Sequence, residues 1–344
     1  MKMRKIVCSF MISVVCFMTA ISGVSATSYD TSKINAAYSK VVEYYKNNNN
    51  LNNADKILAV ESLGLEAESN QFDTSSADLS STSLSKKIVT EVLLGVDPTE
   101  DKKTLESQID ENGNVEGSWG ASSDVWTLYA LYVTSSEKTN LIANKLNDEL
   151  AASSVCGYEW GGTYYADYDT TGWVIEGLAV VNKEKYATTI NKAIDYIKNN
   201  TTMTTTGWVT ADNVDTQSQV LEGMFAYDTN ALLNDSYTVH PVDCLLNTQL
   251  SDGSFPSGYN AEYTTAEVAK TLGTYKNGSV IIKAKKAYDK MMNPEQPDNT
   301  KPAQPTDTKK DSQSTNKVET TNQKTTSVKT GDETNVVIFV SLSM

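Results

Sequence analysis

Several residue types are scarce in this chain of 344 residues, and each scarcity excludes a kind of site. The sequence has a single histidine, His240, and no Cys-x-x-Cys spacing, whereas zinc sites need several such ligands placed together. We therefore expect no metal site. Of the four cysteines, Cys8 and Cys16 fall in an N-terminal leader. Cys156 and Cys244 remain and either form one disulfide or stay as buried thiols, and we favour the thiols.

Basic side chains are also too few to balance the acidic ones. The sequence carries 29 lysines and arginines against 43 aspartates and glutamates, a net charge of −14. Nucleic acids and anionic membrane surfaces repel such a protein, so neither is expected as a partner. The composition is typical of a soluble exported protein.

The N-terminus has the pattern of a secretory signal peptide, predicted over residues 1–26. A basic head at Lys2, Arg4 and Lys5 precedes an apolar stretch, and Val24-Ser-Ala26 is a small-x-small cleavage pattern. An uncleaved anchor is the alternative. Cleavage predicts an extracellular protein that begins near Thr27.

A period of about 46 residues runs through the centre of the chain, and such a period indicates one supersecondary unit used repeatedly. Four aligned segments begin at Ser122, Asp169, Asp215 and Tyr263. Apolar residues recur at helical spacing around them, and no alternating strand pattern is found. We predict an all-α domain over residues 27–293 with about twelve helices, whose units stack or close into a ring.

Each repeat joins a loop of glycine and aromatic residues to an apolar helix. Thr216 with Gln219, and Thr264 with Glu267, have the spacing of a capping box at the helix start. The helices that follow are rich in small residues, which predicts close packing in an inner layer.

One repeat, Gln249-Leu-Ser-Asp-Gly-Ser-Phe255, resembles the repeat of the α/α toroids of terpenoid cyclases and protein prenyltransferases. Gly95-Val-Asp-Pro98 and the order of the later repeats resemble a secreted bacterial branch of that superfamily, related to the helical domain of intrinsic factor and transcobalamin. This resemblance implies an α6/α6 barrel with a central cavity at one end. It also implies a corrinoid, cobalamin, as a candidate ligand, although the β-domain of those carriers has no counterpart here.

Asp167-Tyr-Asp169 resembles the acid motif of squalene-hopene-type cyclases, in which a carboxylic acid protonates an alkene. By that resemblance Asp169 is the candidate acid. However, Thr170 replaces the third aspartate of the motif, and Asp169 sits at a repeat position that helix capping explains. We therefore expect no catalytic residue. The oxygen-rich segment Asp110–Glu116 is read as a polar turn rather than a calcium loop.

Aromatic and acidic residues around the repeat loops are the candidate ligand-binding groups, because they suit a planar or sugar ligand at one rim of a barrel. The set is Trp160, Tyr164, Tyr165, Tyr168, Glu176, Glu222 and Tyr263. Trp126 and Trp173 are expected to be core spacers. The two glutamates either face a cavity or pair with lysines of outer helices.

The C-terminal part changes character after Asn293. Residues 294–326 are rich in Pro, Thr, Lys and Gln and predict a disordered tether. Residues 327–344 resemble a Gram-positive sorting signal, in which sortase would cut after Thr330 and join the chain to peptidoglycan. Ser-Val replaces the usual Leu-Pro, and the apolar stretch is about nine residues where a span needs roughly 20, so we expect a truncated signal.

Three kinds of function fit these features. The first is a non-catalytic, surface-attached module that binds a corrinoid, a glycan or a protein. The second is an enzyme, either terpenoid-cyclase-like or polysaccharide-active, with acidic residues at the toroid mouth. The third is a scaffold that spaces other domains.

Overall fold

A computed structural model describes residues 29–68, 80–202, 204–205, 208 and 213–294. The leader, most of the tether and the sorting-like segment with Thr330 lie outside these residues. The chain divides into two units, residues 1–296 and 297–344, and every described residue belongs to the first. No helix in the described ranges combines the length and the apolar character that a membrane span requires.

The described chain is predominantly helical, which confirms the predicted all-α class. The helices are α1 Ser32–Asn47, α2 Ala54–Ser62, α3 Ser81–Leu93, α4 Thr99–Ser107, α5 Ala121–Val133, α6 Thr139–Ser153, α7 Tyr168–Asn200, α8 Val214–Asn234, α9 Pro241–Leu246, α10 Ala261–Asn277 and α11 Val280–Met292. Apolar residues at helical spacing form the buried face of these helices. In α1 this face consists of four residues that are three or four positions apart, Ile34, Ala37, Val41 and Tyr45.

The strand-free prediction was wrong in one place. Strands β1 Gly157–Trp160 and β2 Thr163–Ala166 form an antiparallel hairpin between α6 and α7. The turn between them is Gly161-Gly162, with φ angles of 58° and 77°. Positive φ at both turn residues is what a tight two-residue hairpin requires, and glycine reaches it without strain.

The predicted capping boxes were also wrong, because the helices begin earlier than the pattern suggested. The side chain of Asn213 accepts the amide of Thr216 at the start of α8, at 3.2 Å. Asn260 accepts the amide of Tyr263 at the start of α10, at 3.2 Å. Thr216 and Thr264 therefore lie inside the first turn of their helices and do not cap them.

Helices α7 and α8 are each interrupted by one residue with non-helical backbone angles, Asn182 and Asp228. Each interrupting side chain accepts an amide three residues later, Asn182 from Lys185 and Asp228 from Ala231. One helix therefore ends at that residue and the next is capped by it. The two interruptions are 46 residues apart (228 − 182), so they repeat the sequence period.

Six helices contact one another in a closed cycle. Helix α2 contacts α3, then α3 contacts α5, α5 contacts α7, α7 contacts α8, α8 contacts α10, and α10 returns to α2. Glycines allow the close approaches: a Cβ on Gly172 would lie 2.4 Å from the carbonyl oxygen of Gln219, and one on Gly223 would lie 2.3 Å from that of Gly172. The predicted close packing of small residues is confirmed at this α7–α8 contact.

Candidate functional site

One repeat position, seven residues after each repeat start, brings four polar side chains into the interior. Its members are Tyr129 on α5, Glu176 on α7, Glu222 on α8 and Lys270 on α10. All four are buried. We call them the buried polar cluster. A repeated fold places equivalent positions around a common centre, which is why residues so far apart in sequence meet.

Internal hydrogen bonds and ion pairs join these side chains to their neighbours. The Tyr129 hydroxyl donates to Glu176 Oε2 at 2.9 Å, and the hydroxyl of Ser279, just before α11, donates to Glu176 Oε1 at 2.6 Å. The Lys270 ammonium lies 2.9 Å from Glu267 Oε1 and 3.9 Å from Glu222 Oε2. The predicted pairing with a lysine of an outer helix is wrong for Glu222, because Lys270 belongs to α10, a helix of the closed cycle.

Burial dominates the electrostatics of the cluster. It raises the pKa of Glu222 well above its usual range, and the negative charge of Glu176 adds to that increase, while Lys270 opposes it. Burial also raises the pKa of Glu176. The hydrogen bond from Ser279, the charge of Lys270 and the hydrogen bond from Tyr129 act in the opposite direction and lower it. Three buried carboxyl groups, Glu176, Glu222 and Glu267, lie near one buried ammonium, Lys270, and protonation of Glu176 or Glu222 relieves the repulsion among them.

Aromatic rings pack beside this cluster. Trp126 is buried and contacts Trp173 and Tyr129 edge-on, with ring centroids 5.9 and 5.3 Å apart. The Lys270 ammonium lies 5.5 Å from the centre of the Trp126 ring and the Lys86 ammonium 4.5 Å from it. Buried Trp126 acts as a core spacer, as predicted, and half-buried Trp173 packs against it.

The candidate acid motif lies at the start of α7. Asp167 is the helix cap, since its carboxylate accepts the amide of Thr170 at 2.7 Å and its hydroxyl at 3.0 Å. Asp169 is half-buried, and burial raises its pKa to about 6 despite a hydrogen bond from Thr216. Asp215, one repeat later, likewise accepts a bond from Thr264. Asp169 and Asp215 thus make the same contact to the next helix.

Three of the predicted ligand-binding residues lie on the hairpin. Trp160, Tyr164 and Tyr165 expose 63, 45 and 45% of their surface. Trp119, from the loop before α5, joins them: it is 58% exposed and its ring centroid lies 5.9 Å from that of Trp160. Tyr158 and Tyr165 stack at 5.5 Å.

The other predicted residues lie elsewhere. Tyr168 and Tyr263 are half-buried, and the Tyr263 hydroxyl accepts from Gln219 Nε2 at 3.3 Å. Glu176 and Glu222 are sealed in the buried polar cluster. The rim prediction concerned the aromatic residues, and the structure places three of them, Trp160, Tyr164 and Tyr165, on the hairpin, while Glu176 and Glu222 lie in the interior.

Two aspartates, Asp243 near the single histidine and Asp110 in the oxygen-rich segment, have partners within the protein. Asp243 accepts from the Tyr29 hydroxyl at 2.7 Å and from the Lys33 ammonium at 3.0 Å. Asp110 folds back onto the amides of Asn112 and Asn114, both at 2.8 Å, which is the predicted polar turn. Within the described ranges, no group of three or more His, Cys, Asp and Glu residues is placed to hold a metal ion.

Both remaining cysteines are buried, unpaired thiols. The Cys244 thiol donates to the carbonyl oxygen of Thr204 at 2.9 Å. Burial raises the pKa of Cys244 to about 11 and also raises that of Cys156. Neither thiol is therefore a nucleophile near neutral pH.

Sequence reasoning missed Tyr129 and Lys270, although the signal was present. Glu176 and Glu222 are one repeat apart in the sequence, and extending that register by one repeat in each direction reaches Tyr129 and Lys270. It also missed the hairpin, whose signal is the Gly161-Gly162 pair between aromatic segments.

Comparison with known proteins identifies no relative: no protein family, no curated protein and no solved structure matches this chain.

Proposed function

We propose that this chain is a secreted, non-catalytic binding module built on an α/α toroid. The toroid is supported by the closed cycle of contacts among α2, α3, α5, α7, α8 and α10. It is also supported by the period of about 46 residues that aligns equivalent side chains on successive members of that cycle.

The observation that carries the binding role is the contrast between sealed acids and open aromatic rings. Glu176, Glu222 and Glu267 are no more than 3% exposed and engage partners within the protein. A substrate would have to displace those partners to reach them. Trp160 and its neighbours, by contrast, present ring surface to solvent without further rearrangement.

Attachment to the cell surface is part of the same proposal. It rests on the signal-peptide pattern of residues 1–26, the Pro/Thr/Lys/Gln-rich stretch at 294–326 and the sorting-like residues 327–344. Thr330 is the proposed sortase cleavage point. Mass spectrometry of a wall digest from cells that express the chain tests it, since attachment predicts a C-terminal peptide that ends at Thr330 linked to peptidoglycan.

An enzyme is the second candidate, and the state of Asp169 favours it. A half-buried carboxyl group whose pKa is raised to about 6 can hold a proton near neutral pH and donate it. Asp215 occupies the equivalent position one repeat later. Its pKa is also raised, mainly by burial, and its Oδ1 atom lacks a hydrogen-bond partner. These features suit acid catalysis on a polysaccharide or an alkene.

One experiment separates the two candidates. The full chain is incubated with corrinoids, soluble glycans and isoprenoid diphosphates, while its thermal stability and any product are measured. A ligand at 100 times its dissociation constant stabilises a fold by about 2.7 kcal/mol. The binding role predicts a shift with unchanged ligand. Turnover that Asp169→Asn abolishes while the melting temperature is retained would establish the enzyme instead.

A further inference from the structure

The hairpin has one face made almost entirely of aromatic rings. In the antiparallel register Tyr158 pairs with Tyr165 and Trp160 with Thr163, so these four side chains share a face. Trp119 extends that face through its contact with Trp160. We call Trp119, Tyr158, Trp160 and Tyr165 the aromatic hairpin patch.

The patch is held rigidly by bonds that leave its rings free. The amide of Glu159 donates to the carbonyl oxygen of Trp119 at 2.7 Å, which ties the Trp119 loop to β1. On the opposite face, the Tyr164 hydroxyl donates to Glu149 of α6 at 3.0 Å. A Cβ at Gly157 would lie 1.9 Å from the carbonyl oxygen of Tyr165, so this strand pair tolerates only glycine there. A preorganised surface loses little entropy when it binds a ligand.

The composition of the patch selects among classes of ligand. Residues 117–120 and 157–166 contain no lysine or arginine, so a phosphate or another anion has no cationic partner there. They also contain no methionine, leucine or isoleucine, and arginine and methionine are enriched beside aromatic residues in protein interfaces. Exposed rings with hydroxyl and indole N–H tips suit a ligand that is apolar on its flat side and polar at its edge.

A pyranose ring has that form. When its substituents are equatorial, the axial C–H groups cover both faces, and they pack on the electron-rich face of an aromatic ring. Its hydroxyl groups then point outward, toward polar groups at the edge of the patch such as the Tyr165 hydroxyl and the side chain of Thr163, which shares this face. Several rings in one face suit consecutive sugars of a chain.

We propose that the aromatic hairpin patch binds a β-1,4-linked oligosaccharide with equatorial substituents, a claim that rests on the proposed binding function and names its ligand class. Isothermal titration calorimetry of the full chain tests it. The probes are β-1,4-linked hexamers of glucose and of N-acetylglucosamine, with an α-1,4-linked glucose hexamer as mismatched ligand. The variants are Trp160→Ala and Trp119→Ala. The matched control is Tyr259→Ala, which removes a ring that is 93% exposed outside the patch.

We expect a β-linked hexamer to bind and Trp160→Ala to weaken its binding by about fivefold, since an aromatic stacking contact contributes roughly 1 kcal/mol beyond buried area. Trp119→Ala should weaken binding less, and Tyr259→Ala should leave it within about twofold of the unchanged protein. Circular dichroism of each variant verifies the fold.

Other outcomes overturn the proposal in distinguishable ways. If both tryptophan variants still bind a β-linked hexamer as the unchanged protein does, the aromatic hairpin patch is not the binding site. The proposed binding function would then stand and this inference would fail. Binding of a corrinoid or a protein, with no oligosaccharide bound, would refute the ligand class alone. If no ligand of any class binds, or if the hexamer is cleaved, the proposed function fails together with this inference.

Discussion

The interior of the helical cycle and the hairpin patch use similar residue types for opposite purposes. In the interior, Trp126 and Tyr129 are 3 and 1% exposed, and their polar neighbours bond to one another. On the hairpin, Trp160 and Tyr165 are 63 and 45% exposed. A buried aromatic ring fills space and stabilises the fold, whereas an exposed cluster of rings marks a binding surface. The same kind of loop-to-helix repeat thus supplies both a core and a candidate site.

The largest expected effect tests whether the buried polar cluster depends on its ammonium group, Lys270. Lys270→Met would leave the buried Glu267 carboxylate without its counter-charge, so we expect a loss of about 3 to 5 kcal/mol in the free energy of unfolding. Urea unfolding followed by circular dichroism measures it. Lys103→Ala, which breaks an exposed pair with Glu100, is the control and should change stability by less than about 1 kcal/mol. Equal effects of the two variants would contradict a buried ionic core.

The next effect concerns the contact between α7 and α8. Gly223→Ala would place a Cβ 2.3 Å from the carbonyl oxygen of Gly172, so one helix must move away. We expect a loss of about 1 to 3 kcal/mol in spite of the higher helix propensity of alanine. Gly258→Ala is the matched control, because no atom lies within 4 Å of its Cβ position. A stabilised Gly223→Ala variant would show that the helices are not in close contact.

A smaller effect is the pH dependence that the buried carboxyl groups impose. Because burial raises the pKa of Glu222, the folded state holds a proton that the unfolded chain releases above pH of about 4.3. Stability from this group is therefore fully present below that pH and declines as pH rises toward the folded-state pKa. Glu222→Gln should remove this part of the decline and make the protein more stable than the unchanged protein at pH 8.

Unfolding free energies at pH 5 and pH 8 measure the effect, with Glu100→Gln as an exposed control. A wild-type protein whose stability rises between these values, with the same slope in Glu222→Gln, would show that Glu222 is not a protonated interior group.

The smallest expected effect is on the stability of the hairpin variants. Trp160→Ala removes a ring that is mostly exposed to solvent, so the free energy of unfolding should change by less than about 0.5 kcal/mol. Trp126→Ala, the same substitution in the interior, should destabilise by about 3 to 5 kcal/mol. Thermal unfolding of both variants measures the contrast, and a large loss with Trp160→Ala would make the patch part of the core.

The helical class and the repeat followed from local patterns. Apolar residues three or four apart between Ile34 and Tyr45 predict a helix there, and the structure has α1 at Ser32–Asn47. The register of Glu176 and Glu222 was visible because a repeat preserves equivalent positions. The hairpin was not predicted. The starts of α8 and α10 were also misplaced, because Asn213 and Thr216 can both accept a backbone amide at a helix start, and which of them does so depends on the local backbone conformation.

By itself, the sequence determined the helices, their period and the residues that occupy equivalent positions, since these depend on spacing along one chain. Only the tertiary structure decided which of those positions are sealed. Glu176 and Trp160 are both candidate ligand-binding residues of the same repeat. Glu176 is buried and bonded to Tyr129 and Ser279, whereas Trp160 is exposed to solvent. Exposure depends on what residues distant in sequence bring to the same place, and no local pattern records it.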